Sequence, residues 1–178
     1  MNLELQMPET LVLDASAAIA VLHREPTRDA VLAALRGQAS SAGEVCVPGH
    51  FWLEIANVLI RRYRYTPRQV AEAVRILDEF AVRTIDLDRP LWLLTIDRMQ
   101  RFGLASYDAA YLALADVTDG SLLTLDVSLA AAAGIRAIRM GPLRLAETQT
   151  EYRVSNPNEV WAEFGSYLAE LRRAVAAG

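Results

Sequence analysis

Four carboxylates stand out by their surroundings: Asp14, Glu54, Asp108 and Asp126. Asp14 closes the apolar run Leu11-Val12-Leu13, and Asp126 closes Leu122-Leu123-Thr124-Leu125. Asp108 follows Ser106 at the head of a long apolar stretch. Glu54 lies inside Phe51-Trp52-Leu53-Glu54-Ile55-Ala56-Asn57-Val58-Leu59-Ile60. Taken singly, each has a plain role. Asp14 and Asp126 precede helical segments and suit an N-cap. Asp108 in a first turn is favoured by the helix dipole. Glu54 needs a partner, because burying a bare carboxylate is costly. Arg61 or Arg62, about two turns on, or an Arg elsewhere in the fold is one such partner, and a metal ion is another.

Jointly the four acids suggest more. Two sit at strand carboxyl ends, one opens the helix before the last of them, and one lies a turn into the helix after the second strand. A doubly wound sheet can bring all four to one cleft. Carboxylates gathered there raise each other's pKa. A hard divalent cation, Mg²⁺ or Mn²⁺, relieves the repulsion and completes its shell with water and phosphate oxygens. Such an ion serves phosphodiester hydrolysis by activating water and stabilising charge on the phosphate. Ser16 and Thr124, each two residues from its Asp, are candidate donors that hold the carboxylates in place. Arg61-Arg62-Tyr63-Arg64-Tyr65 interleaves cations and aromatics, a pattern that grips phosphates and stacks bases. It equally suits a solvated helix end whose cations complement the dipole. His23 and His50 are read as surface or capping residues, Trp52, Trp92 and Trp161 as core or interface fillers, and no Gly-rich phosphate loop is present.

The elements that must position these groups follow from hydropathy periodicity. Strands are expected near 11–13, 44–47, 82–85, 121–125 and 135–139. Helices are expected near 17–23, 29–35, 50–64, 67–80, 89–102, 106–117 and 127–133, with 36–43 as a small-residue loop. Thr66 caps a helix that has Pro67 at its first position. Asp88 opens another that Gly103 closes, and Ser106 caps the next. The alternation predicts an α/β chain with a central, mainly parallel sheet between two helical layers. Residues 1–142 form that domain. Residues 143–178 form an extension in which Asn156, Pro157 and Glu159 start an amphipathic helix with Val160, Phe164, Tyr167, Leu168, Leu171 and Val175 on one face. This helix is expected to pack on the domain or across a dimer.

The bulk numbers set limits. At 178 residues, 53% hydrophobic and 22% charged, the chain has the composition of a compact globular protein. No apolar run reaches the ~18–20 residues of a membrane span, and Met1 to Thr10 lacks the basic start of a secretory signal. The single Cys46 excludes an internal disulfide and a Cys-rich zinc site, and it reads as a small buried hydrophobe. A cytoplasmic protein is expected. A net charge of −4 argues against a sequence-reading DNA binder. It does not argue against a nuclease whose acids belong to a metal site. All 18 basic side chains are Arg, planar forks suited to phosphate.

Leu-Asp-Ala-Ser at 13–16 resembles the opening of a PIN domain. So do the helix running from Pro48 through Glu54-Ile55-Ala56-Asn57-Val58-Leu59, the segment Ser106-Tyr107-Asp108-Ala109-Ala110-Tyr111-Leu112-Ala113-Leu114-Ala115, and Leu122-Leu123-Thr124-Leu125-Asp126. The likeness covers roughly residues 10–141 in the family's order and is nearest to VapC-type toxins of bacterial toxin–antitoxin pairs. It implies an Mg²⁺- or Mn²⁺-dependent endoribonuclease using Asp14, Glu54, Asp108 and Asp126. It also implies a homodimer and a cognate antitoxin protein that plugs the acidic cleft. A housekeeping PIN nuclease in RNA processing and a catalytically inactive PIN-like binding protein are the other readings. The presence of all four acids counts against the last. The extension beyond Pro142 departs from the family pattern, since such toxins usually end near the last strand.

Overall fold

The computed structural model describes residues 10–138 and Met140. The extension, with its expected helix, and Trp161 lie outside the described residues. Five strands form the sheet: β1 (Thr10–Leu13), β2 (Glu44–Pro48), β3 (Arg83–Ile85), β4 (Ser121–Leu123) and β5 (Ala137–Ile138). Between them run α1 (Ala15–Leu22), α2 (Arg28–Ser40), α3 (Phe51–Arg61), α4 (Pro67–Asp78), α5 (Arg89–Phe102), α6 (Ser106–Val117) and α7 (Val127–Ala133). A 3-10 turn, Gly134–Arg136, leads into β5. The strand order is β3-β2-β1-β4-β5, and every pairing is parallel.

The order reverses direction at β1. Right-handed crossovers then place α1–α4 on one face and α5–α7 on the other. The packing agrees: α1 contacts α2, α3 and α4, while α6 contacts α5 and α7. The result is a three-layer α/β/α fold. Both sheet faces are covered, which explains why the central strands are continuous apolar runs. Leu11, Val12, Leu13, Cys46, Val47, Leu122 and Leu123 are wholly buried. Cys46 is core, as its neighbours suggest.

Several element ends follow their local chemistry. Thr66 and Gln69 form a reciprocal capping box before Pro67. Asp88 accepts from the Leu91 amide, and Gly103 ends α5 with a left-handed φ of 67°. Other ends differ from expectation. The expected loop 36–43 is helical as far as Ser40, because Gln38 is buried and donates to the Glu44 carbonyl at 3.2 Å. Tertiary anchoring thus overrides the weak helix propensity of Gly37 and Ser40. Ser106 is the first helical residue and not the cap. Ala105 holds the extended cap conformation without a side-chain bond. The helix expected over 50–64 stops at Arg61, since Arg64 takes a left-handed φ of 60°.

Candidate metal and phosphate site

β1 and β4 are hydrogen-bonded neighbours with Leu13 opposite Leu123, and the Asp14 amide donates to the Leu123 carbonyl at 3.0 Å. The chain therefore leaves both strands at the same sheet edge. This edge is the switch point where the strand order reverses, the usual ligand position in such sheets. Gly120 permits the close strand approach: a Cβ there would stand 2.7 Å from the Thr10 carbonyl oxygen. A cavity of about 280 Å³ opens at this edge, lined by Asp14, Glu54, Asp108, Asp126, Ser16, Glu25 and Arg62 among others. The four sequence-predicted acids are thus brought together.

Asp14 occupies the N-cap position of α1 but makes no side-chain cap bond. Its Oδ2 instead accepts from Ser16 Oγ and, at 2.7 Å, from Thr124 Oγ1. The hydroxyls also tie the second strand end in place. Ser16 Oγ accepts from the Leu125 amide at 2.9 Å, and Thr124 Oγ1 from the Asp126 amide at 3.0 Å. Thr124 therefore serves the carboxylate of Asp14 across the sheet and meets Asp126 only through its backbone. The Asp126 carboxylate does cap: its Oδ1 accepts from the Leu129 amide at 2.6 Å. The residue itself is exposed at the cavity wall.

Glu54 is half-buried in the first turn of α3. Its Oε2 accepts from the Tyr111 hydroxyl at 2.5 Å and lies 3.5 Å from His50 Nε2. No arginine figures among the charges that shift it. Burial, with Asp14 and Asp108 adding repulsion against the Tyr111 bond, raises its pKa to about 7. Burial followed by Asp14 and Asp126 raises Asp108 to about 6. Asp14 is pushed up by burial and, less, by Asp126, opposed by its Ser16 and Thr124 bonds. Burial lowers His50, whose ring packs on Tyr107 and Tyr111 and is not a free surface group.

The donor set is all hard oxygen, and its acids repel one another, which suits a hard divalent cation. Among the described residues no three such groups converge as a ready-made cage. The carboxylates stand on the cavity walls, partly engaged by hydroxyls and an amide. That arrangement fits an ion that keeps most of its water and shares substrate oxygens.

The basic-aromatic run divides. Arg62 lines the cavity, with its guanidinium 5.2 Å from the Tyr63 ring centroid. Tyr63 is less open to a base than its exposure pattern suggests. Its hydroxyl donates to Glu25 at 2.7 Å, and His23 stacks on its ring at 3.5 Å. Arg61 and Arg64 are exposed but do not line the cavity. Glu25 and Tyr111 were not singled out by sequence. Glu25 precedes Pro26 in a turn and carries no signal. Tyr111 does carry one: a phenol amid the small and aliphatic residues of a buried helix must find a partner.

A family model described as the PIN domain matches residues 11–135. No curated protein sequence matches the chain. Among solved structures, a Klebsiella pneumoniae toxin-antitoxin complex aligns with a TM-score of 0.54 at 17% identity, covering 73% of this chain and 97% of that one. The Mycobacterium tuberculosis sarcin-ricin loop cleaving toxin VapC20 aligns with 0.57 at 19% identity, covering 71% and 97%. The complex VapBC2 of Rickettsia felis, bound to a promoter DNA fragment, aligns with 0.54 at 12% identity, covering 72% and 96%. These likenesses concern the fold, while the family model spans most of the sequence and contains all four acids: the chain belongs to the PIN-domain family.

Proposed function

We propose that this chain is a metal-dependent endoribonuclease and the toxin of a type II toxin–antitoxin pair. The observation that carries this reading is the meeting of Asp14, Glu54, Asp108 and Asp126, from four separate segments, around one cavity that Arg62 also lines. These four acids would hold Mg²⁺ or Mn²⁺, which when bound supplies an activated water and charge stabilisation at the phosphate. The protein's own groups do the positioning. Ser16 and Thr124 fix Asp14, and through the Leu125 and Asp126 amides they hold both strand ends in one geometry. Arg62 offers a planar fork to a neighbouring phosphate. Family membership supports the nuclease chemistry. The toxin role is supported by the fold shared with toxins and toxin–antitoxin complexes. In this reading the chain forms a homodimer, its acidic cleft is plugged by a cognate antitoxin protein, and residues 143–178 form an extension that packs on the domain or dimer. The described residues contain no helix long and apolar enough to cross a membrane.

Expression with and without the adjacent upstream gene, with RNA ends mapped, tests this directly. Growth arrest and new RNA ends that appear only without the upstream gene are expected. Unchanged RNA and normal growth at high expression would overturn the toxin role.

A further inference from the structure

The roles assigned above leave Tyr111 unused. It stands one turn beyond Asp108 on α6 and is fully buried. Phenylalanine would fill nearly the same volume without a polar group to satisfy, so the hydroxyl needs its own explanation. That hydroxyl donates to Glu54 Oε2 at 2.5 Å. The bond thus ties the helix that carries Glu54 to the helix that carries Asp108. The His50 ring meets the Tyr111 ring edge-on at 5.0 Å and closes the same side of Glu54.

We propose that Tyr111 is a positioning residue: its hydroxyl pins Glu54 Oε2 to α6, so that Oε1 is the oxygen presented to the cavity. This rests on the reading of the four acids as a metal site. A carboxylate on a flexible side chain otherwise swings between rotamers, and groups that orient a ligand typically govern metal affinity about 10–100-fold. Tyr111→Phe keeps the ring packing and removes only the hydroxyl.

The test is Mn²⁺ binding by the full chain, read from the electron paramagnetic resonance of the free ion. It uses wild type, Tyr111→Phe, Glu54→Gln and the double variant, with circular dichroism as a check on folding. Tyr111→Phe is expected to weaken Mn²⁺ binding about 10–100-fold in the wild-type background. In the Glu54→Gln background the further loss should be under about threefold, because the two residues act as one unit. An unchanged affinity in Tyr111→Phe would overturn the proposal. So would an equal loss in both backgrounds, the signature of a general packing role. A wild-type chain that binds no Mn²⁺ would overturn the metal-site reading itself, and this proposal with it.

Discussion

Ionised Glu54 and Asp108 strain the metal-free protein, because burial and their acidic neighbours hold them at about 7 and about 6. Both bind protons more tightly in the folded chain than in the unfolded one. Their contribution to stability is therefore full below the unfolded values and is lost as pH rises through the folded ones. His50, lowered by burial, works in the opposite direction as pH falls below its ordinary value. The Glu54 effect is isolated by comparing melting curves of wild type and Glu54→Gln without metal. The variant should gain over wild type as pH rises from about 5 to about 8, reaching on the order of 1–2 kcal/mol. A loss of ~3–5 kcal/mol would instead mark Glu54 as half of a buried ion pair. Mg²⁺ should narrow the gap by stabilising wild type more than the variant. The acids were legible in sequence because each sits where an apolar segment ends or is interrupted. Their hydrogen-bond partners were only half legible. Ser16 and Thr124 are close in sequence to their carboxylates, yet the bond from Thr124 to Asp14 spans two strands. The bond from Tyr111 to Glu54 joins two helices in different layers of the fold, and spacing along the chain does not report such pairs.

At the scale of elements, the site depends on the register of β1 against β4. Gly120 stands where a Cβ would meet the Thr10 carbonyl oxygen at 2.7 Å and Thr118 Oγ1 at 2.9 Å. Gly120→Ala must push the strands apart at that end and should cost about 1–3 kcal/mol. Denaturant unfolding measures the loss, and an unchanged midpoint would mean that the turn relaxes freely. By comparison, Thr66→Ala removes a capping box whose residues do not line the cavity and should cost about 1 kcal/mol with RNA cleavage per folded molecule unchanged. Helix starts built from Thr66-Pro67 and Asp88-Arg89-Pro90 could be read from local chemistry, as could the Gly103 stop. Helix α2 could not. Its last turn persists because Gln38 reaches the Glu44 carbonyl of β2, a tertiary bond that no window of sequence contains. The parallel order was legible only as a class, since alternation fixes handedness and layers but not which strand stands beside which.

For the whole molecule, the net charge of −4 and the purely Arg cation set mean that the proposed RNA substrate would be gripped at a few chosen points and not by a general basic field. Arg62 lines the acidic cavity, so Arg62→Ala should weaken RNA binding and reduce the salt-dependence slope by about 1. An unchanged slope would remove Arg62 from the substrate path. The apolar residues predicted to share one face over 157–175 need a surface to cover. Truncation after Pro142 should preserve cleavage per folded molecule but weaken dimerisation or cause aggregation, as sedimentation would reveal. A truncated dimer of unchanged stability would assign the extension to another purpose. The central claim is that Asp14 and its three acidic neighbours form a divalent-metal site for RNA hydrolysis. Its most direct test is cleavage of purified RNA by wild type and Asp14→Asn, each with Mg²⁺ or Mn²⁺ and with a chelator, with circular dichroism to verify folding. The account predicts cleavage by wild type with metal alone and none by the folded variant. Cleavage that survives the chelator, or a fully active Asp14→Asn, would contradict it.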